Sequence, residues 1–318
     1  MKWFEKLYSL VIFLAALIGL GLGQFEVIQQ NAELLILPLL ILMLYITFLQ
    51  IPLEQTKQAF RNARFSSVAL VINFVVTPLF AWLLASLFLG NEPALYIGFI
   101  MLMVTPCTDW YLIFTGIAKG NVALSTAMLP VNLILQIILL PFYLLVFAGT
   151  SGSFEFSFLL ESVLAVLLLP LSLAIATRKI SRKKKWLKKQ QVDQLASLPI
   201  LFLALAIMAM FASQGSLLLT NLDLLWQLLL PILLFFLVMF SFGQQIGKSL
   251  KFSYEETASL NMTTLSRNSP IALAIAMTAF PDEPLIALTL VIGPLLELPI
   301  LAAIAQVLLV LRKFRPHP

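Results

Sequence analysis

The feature that most constrains the fold of this chain is a succession of long apolar segments joined by short polar links. Crossing the hydrocarbon core of a bilayer takes about 20 residues of α-helix. Because lipid offers no hydrogen-bonding partner, such a segment must satisfy its own backbone, as a helix does. Hydrophobic residues make up 61% of the chain and charged residues 11%, whereas soluble domains average about 25% charged. The sequence therefore predicts an all-α, polytopic membrane protein.

The apolar segments predict ten transmembrane helices. Turn-like links such as Gly90-Asn91-Glu92-Pro93 separate neighbouring segments. The first run lacks a small-residue cleavage site, so we interpret it as a helix of the protein and not as a removed signal peptide. The predicted spans are 4–23, 33–52, 66–89, 94–118, 121–148, 157–177, 194–213, 223–246, 256–280 and 284–311.

The distribution of basic residues supports this count. With ten spans, every Lys and Arg except Arg267 falls in the loops and tails of one side, including a basic linker at 178–192. The opposite loops carry acidic residues instead, among them Glu92 and Asp282. The positive-inside rule then places both termini in the cytoplasm of a cell that carries the protein in its inner or plasma membrane.

The basic linker lies near the midpoint of the chain and leaves five predicted spans on each side. An odd number of spans makes the second half enter the membrane in the opposite orientation. The sequence thus predicts a 5+5 inverted repeat within one transmembrane domain, residues 1–318, with the first repeat at 1–150 and the second at 156–312.

Two polar stretches interrupt apolar spans at corresponding positions of the two halves. The fourth span contains Thr105-Pro106-Cys107-Thr108-Asp109, and the ninth contains Ser266-Arg267-Asn268-Ser269-Pro270. Interrupted helices survive in a membrane only where the freed backbone lines a cavity or the protein interior. Paired interruptions of this kind are typical of the binding site of a secondary transporter. We therefore expect Pro106 and Pro270 to break their helices beside a substrate site.

Charged side chains inside the predicted spans are candidates for function. An arginine at mid-bilayer costs about 2.5–3.5 kcal/mol, so Arg267 should face a polar cavity or a partner. Asp109 and Arg267 could meet where the two broken helices cross, either as part of a gate or as a static ion pair. Glu297 lies near the middle of the tenth span, and with Asp109 it is a candidate to carry a proton.

Two further residues are assigned to the predicted site. Cys107, the only cysteine, is either a small buried hydrophobe or a thiol that contacts a soft solute such as trivalent arsenic. Asn73, a polar residue in an apolar span, is the amide we place near the site. With a single cysteine and His317 alone in the C-terminal tail, no metal site or cofactor is expected.

The chain resembles members of the superfamily that unites bile acid:sodium symporters with arsenical-resistance (arsenite-efflux) permeases. The resemblance is carried by Pro106-Cys107-Thr108, by the run from Ala118 to Ser125, by Arg267-Asn268-Ser269, and by Gly293-Pro294-Leu295-Leu296-Glu297-Leu298-Pro299. It implies ten helices arranged as a panel and a core, with the fourth and ninth helices broken and crossing. It also implies alternating access.

The branch within this superfamily follows from particular positions. The resemblance places Tyr111, Leu112, Thr263 and Arg267 where sodium-coupled members carry sodium ligands, and an arginine there repels a cation. In the arsenical-resistance branch, the residues that match Cys107 and Glu297 are the functional ones, and coupling to protons is implied. Asp109 and Arg267 depart from the pattern of that branch.

The resulting hypothesis is a proton-coupled secondary transporter of a small anion or oxyanion, of the arsenite-efflux type. Its substrate-binding residues would be Cys107, Thr108, Asp109, Arg267, Asn268, Ser269 and Asn73. The alternative is a sodium-coupled symporter of an organic anion. An enzyme is not expected, because the spans contain no catalytic constellation. The expected partners are a small-molecule or ion substrate and the lipid bilayer, without nucleic acid.

Overall fold

A computed structural model describes residues 8–50, 62–107, 110–148, 156–184, 198–220 and 222–314. Apart from one isolated β-bridge, the regular structure of these residues is helical. The elements are α1 (Tyr8–Leu22), α2 (Glu26–Gln50), α3 (Ala63–Val71), a π-helical segment (Ile72–Val76), α4 (Thr77–Phe88), α5 (Pro93–Val104), α6 (Trp110–Ile117), α7 (Val122–Ala148), α8 (Phe156–Lys184), α9 (Leu198–Thr220), α10 (Leu222–Ser249), α11 (Tyr254–Leu265), α12 (Ser269–Ala279) and α13 (Pro284–Phe314).

The prediction of a helical membrane protein with several spans is confirmed for the described residues. Seven of the described helices are long and apolar enough to cross a membrane, with α3, the π segment and α4 forming one of them. Shorter apolar helices occupy Leu10–Leu22, Pro93–Val104 and Ser269–Ala279. The count of ten spans and the inverted repeat stay predictions.

Large apolar side chains also cover the outside of the helices. Val27 is 75% exposed, Trp226 73% and Leu34 72%. Such side chains gain nothing from contact with water, whereas hydrocarbon accommodates them and excludes unpaired backbone groups. Contact with the hydrocarbon of the bilayer therefore accounts both for the helical form and for the apolar exterior.

The chain divides into two compact units, each made of segments that are distant in sequence. The first unit comprises 1–51, 151–225 and 269–295, and it contains α1, α2, α8, α9 and α12. Its helices pack closely at glycines: a Cβ added to Gly19 would lie 2.4 Å from the carbonyl oxygen of Met208. Absent side chains at such positions let helix backbones approach each other, as is common in membranes.

The second unit comprises 52–150, 226–268 and 296–318. Here α11 packs against α3, α6 and α7, and α5 packs against α4 and α7. A Cβ added to Gly243 of α10 would lie 2.5 Å from Oδ1 of Asn261, which is buried in α11. The two units do not follow the halves of the predicted repeat, since each takes segments from both.

The basic linker predicted at 178–192 is helical over its described part. Helix α8 continues to Lys184, and residues 185–192 lie outside the described residues. Within this part, Arg178 donates from Nε to the carbonyl of Leu49 (3.0 Å) and from Nη2 to that of Phe48 (3.0 Å). The carbonyls of the last turn of a helix have no intrahelical donor, so Arg178 completes the C-terminal end of α2.

Candidate functional site

The first interruption lies between α5 and α6. Helix α5 ends at Val104, and Pro106 cannot donate the hydrogen bond that would continue the helix to the carbonyl of Leu102. The hydroxyl of Thr105 takes over this role, lying 2.9 Å from the carbonyl oxygen of Met101 and 3.1 Å from that of Leu102. The break therefore leaves these buried carbonyls satisfied.

The second interruption lies between α11 and α12. Helix α11 ends at Leu265, and Ser266 has extended backbone angles, with φ −73° and ψ 133°. Helix α12 begins at Ser269, which puts Pro270 in its first turn. A proline is tolerated there, since the first N–H groups of a helix have no intrahelical acceptor.

The two interruptions are joined by backbone hydrogen bonds. The N–H of Cys107 donates to the carbonyl of Ser266 (3.0 Å), and the N–H of Asn268 donates to the carbonyl of Thr105 (2.8 Å). These bonds form a short antiparallel pair within the second unit. Each interruption thus supplies the hydrogen-bonding partners that the other lost by leaving its helix.

Pro106 and Arg267 face each other at the centre of this pair. They occupy a non-hydrogen-bonded position, at which neither residue donates its N–H to the other strand. A proline fits this position without loss, because it has no N–H to place. The N–H of Arg267 points away from the pair and donates to Oε1 of Glu297 at 2.7 Å.

The guanidinium of Arg267 is held almost entirely by backbone oxygens. The side chain is 1% exposed. Nε donates to the carbonyl of Leu265 (3.1 Å), and Nη1 donates to the carbonyl of Met103 (2.8 Å). Nη2 donates to Oδ1 of Asn73 (3.2 Å) and to the carbonyl of Thr264. The ring of Phe235 lies 5.6 Å from Cζ, a cation–π distance. Four of the five guanidinium N–H groups thus have acceptors.

Asn73 links three elements of the site. It lies in the π-helical segment and is fully buried. Its Nδ2 donates to the carbonyl of Thr263 (3.3 Å), while its Oδ1 accepts from Arg267. Single-turn π segments inside α-helices occur frequently at functional sites. Asn73 thus contacts the second interruption, and its part in a substrate site stays a prediction.

Cys107 is 2% exposed, and its sulfur lies at the start of α6. The Sγ accepts a hydrogen bond from the backbone N–H of Trp110, the first residue of that helix, at 3.2 Å. The sulfur therefore occupies the place that a capping oxygen takes at other helix starts. Within the described parts of the chain, no group of three metal-ligating side chains comes together.

A cluster of buried hydroxyls lies on α6, α7 and α11. The hydroxyl of Tyr111 donates to the carbonyl of Ser125 (2.8 Å). The Oγ of Ser125 lies 3.5 Å from the hydroxyls of both Thr115 and Thr263. Since Asn73 binds the carbonyl of Thr263, this cluster and the guanidinium share one hydrogen-bonded network.

Four predicted site residues remain: Thr108, Asp109, Asn268 and Ser269. Thr108 and Asp109 lie outside the described residues, so a contact between Asp109 and Arg267 stays a prediction. Ser269 is 2% exposed and belongs to the first unit. Asn268 is 4% exposed, and its backbone N–H takes part in the pair of interruptions.

Sequence reasoning missed several contributors to the site. The sequence marks Thr105 only as part of the interruption, whereas in the structure its hydroxyl caps the carbonyls at the end of α5. Phe235 carries no signal, because one phenylalanine in an apolar helix looks like any other. The role of the Met103 and Thr264 carbonyls cannot be predicted from the sequence either, since every residue has a carbonyl.

Comparison with known proteins decides the family. The profile of the Sodium Bile acid symporter family matches residues 37–221, more than half of the chain. The chain belongs to this family. It is accordingly a membrane transporter and not an enzyme.

Individual relatives of this transporter are distant in sequence. It is 25% identical to the arsenical-resistance protein Acr3 of Corynebacterium glutamicum, over 85% of this chain and 76% of that protein. It is 27% identical to an uncharacterized transporter of Synechocystis, over 96% of this chain and 88% of the relative. The arsenical-resistance protein Acr3 of Alkaliphilus metalliredigens is 23% identical, over 96% of this chain and 92% of that protein.

Proposed function

We propose that this protein is a secondary active transporter that exports an arsenite-like oxyanion or another small anion in exchange for protons. The observation that carries the proposal is the hydrogen-bonded pair of helix interruptions, which brings the backbones of Cys107 and Arg267 together and binds Glu297. Interrupted helices are where transporters of many folds bind their solutes. The two arsenical-resistance relatives supply the solute class.

The proposal includes a topology. Ten spans arranged as a 5+5 inverted repeat, with the fourth and ninth spans interrupted, give alternating access to the site from the two sides of the membrane. Both termini lie in the cytoplasm, because the basic residues then face inward. The helices α5–α6 and α11–α12 correspond to the two interrupted spans.

Each polar group of the site has a proposed role. Cys107 offers a soft sulfur to a trivalent arsenic or antimony centre. Arg267 supplies positive charge, and the solute is lined by Asn73, Thr108, Asp109, Asn268 and Ser269. Glu297 and Asp109 exchange the proton, since an acid inside a membrane span is a candidate for a proton relay.

The second candidate function is sodium-coupled uptake of an organic anion. The family match favours it, since the family is described as sodium bile acid symporters. Uptake into vesicles with and without an inward sodium gradient separates the two functions. Acceleration by sodium supports the symporter, and acceleration by a proton gradient supports the exporter.

Metalloid accumulation tests the solute. Cells that express the wild type should accumulate less arsenite and antimonite than cells with an empty vector. Cys107→Ser should raise accumulation toward the empty-vector value, because the hydroxyl keeps the acceptor for the N–H of Trp110 but removes the soft sulfur. Arg267→Gln should impair export more than it reduces the amount of protein in the membrane. Equal accumulation in all four strains would remove the arsenical assignment.

A further inference from the structure

We infer that Arg267 occupies a cation-binding site with its own guanidinium, so that the protein works without sodium and acquires a sodium site when this side chain is removed. The inference rests on the proposed transport function for its flux experiment only. Its binding experiment needs no knowledge of the solute.

The site is built from the C-terminal ends of two interrupted helices. The last carbonyls of a helix lack intrahelical donors and carry the negative end of the helix dipole. Helix α5 ends at Val104 and α11 ends at Leu265, and carbonyls from both last turns point at one guanidinium. In secondary transporters, such half-helix C-termini and unwound carbonyls are the places where coupling cations bind.

The acceptors around the guanidinium are neutral oxygens: Met103 O, Thr264 O, Leu265 O and Asn73 Oδ1. Among the described residues, no carboxylate oxygen accepts a hydrogen bond from this side chain. A set of carbonyl and amide oxygens is suited to a hard cation, for which oxygen is the preferred ligand. An arginine whose role was only to pair with an acid would not need to bind carbonyls at the ends of two helices.

The guanidinium blocks this site in two ways. It uses the oxygens that a metal cation would need, and its positive charge repels a second cation at the same place. The ring of Phe235 covers it at 5.6 Å from Cζ. A side chain that is 1% exposed in this position is a fixed part of the site.

The backbone of the site does not depend on the arginine side chain. The bond to Glu297 comes from the main-chain N–H of position 267, and the pair of interruptions is held by Cys107 N–H and Asn268 N–H. A variant with a shorter, neutral side chain therefore keeps these bonds. It leaves the oxygens of α5 and α11 without their cation.

The binding experiment uses the full-length protein purified in detergent, with thermal unfolding followed in sodium chloride and in choline chloride of equal concentration. We expect Arg267→Gln and Arg267→Ser to unfold at a higher temperature in sodium than in choline, with a shift that saturates as sodium is raised. We expect no such shift in the wild type or in Arg267→Lys, which keeps a cation in place.

Arg312→Gln is the matched control, because it removes an arginine of the same unit that also lies over an aromatic ring. Its Cζ lies 5.5 Å from the ring of Tyr254, and its Nη2 lies 3.9 Å from Oε1 of Glu255. This arginine is 40% exposed. Arg312→Gln should behave as the wild type does in both salts.

Several results would overturn the inference. A saturable sodium shift in the wild type shows that the cation site is open beside Arg267. If Arg267→Gln and Arg267→Ser fold but unfold at the same temperature in sodium chloride and in choline chloride, the oxygens do not form a cation site. If neither variant folds, the wild type decides alone, through its shift and through flux in vesicles with and without a sodium gradient.

The outcome is separate from that of the proposed solute. Failure of arsenite and antimonite export would remove the arsenical assignment and leave the sodium measurements unaffected. Sodium binding to the wild type would overturn the inference about Arg267 even if metalloid export were found.

Discussion

The bond between Glu297 and the backbone of Arg267 gives the sharpest test of the site. Oε1 of Glu297 accepts the main-chain N–H of Arg267 at 2.7 Å, and both residues are buried, at 2% and 1% exposed. The two side chains also interact electrostatically. Two substitutions separate the contributions: Glu297→Gln keeps an acceptor oxygen and removes the charge, whereas Glu297→Leu removes both.

The expected magnitudes follow from these contacts. A hydrogen bond to a charged group contributes about 1.5–3 kcal/mol and a neutral one about 0.5–1.5 kcal/mol, so Glu297→Gln should lower the free energy of unfolding by about 1–2 kcal/mol. Glu297→Leu leaves the buried main-chain N–H of Arg267 without its acceptor. A buried donor left unsatisfied costs about 1–3 kcal/mol, so we expect a loss near the upper end, about 3 kcal/mol, for this variant.

The measurement is the free energy of unfolding in mixed micelles, titrated with a denaturing detergent. Glu255→Gln is the control: its partner Arg312 is 3.9 Å away and both side chains are largely exposed, so a change within about 0.5 kcal/mol is expected. Flux is then measured against pH, where Glu297→Gln should lose the pH dependence of the wild type. If Glu297→Leu is as stable as the wild type, Glu297 does not anchor the interruption. If the flux of Glu297→Gln depends on pH as that of the wild type does, Glu297 is not the proton carrier.

Two further predictions concern the frame around the site. Gly243→Ala should destabilise the protein by about 1–3 kcal/mol in the same detergent titration, because the new Cβ would lie 2.5 Å from Oδ1 of Asn261. Gly116→Ala should change the stability little, because its new Cβ would lie 3.8 Å from Cγ2 of Val122; equal effects of the two substitutions would contradict the packing argument. Tyr143→Phe should cost about 1–3 kcal/mol, because its hydroxyl donates at 2.6 Å to the carbonyl of Phe74, and a variant as stable as the wild type would show that this carbonyl finds another donor.

The sequence by itself determined the class of the protein and the places where its helices would be interrupted. Segments that are apolar for 20 residues have one stable form in lipid, and Pro106 and Pro270 can be read directly as residues that do not continue a helix. It also identified Arg267 and Glu297 as anomalies, since a charge in an apolar span is costly and needs a partner. These conclusions depend on residue types and on their order, which a sequence contains.

Only the tertiary structure decided what the anomalous residues contact. No pattern in the sequence indicates that the guanidinium of Arg267 donates to the carbonyls of Met103 and Leu265, and a contact between Arg267 and Asp109 stays a prediction. The sequence likewise assigns Arg178 only to a basic linker, whereas the structure shows that this side chain completes the end of α2. Backbone carbonyls are the same at every position. Which of them lack a donor, and which side chain reaches them, is fixed only when helices distant in the chain end at the same place.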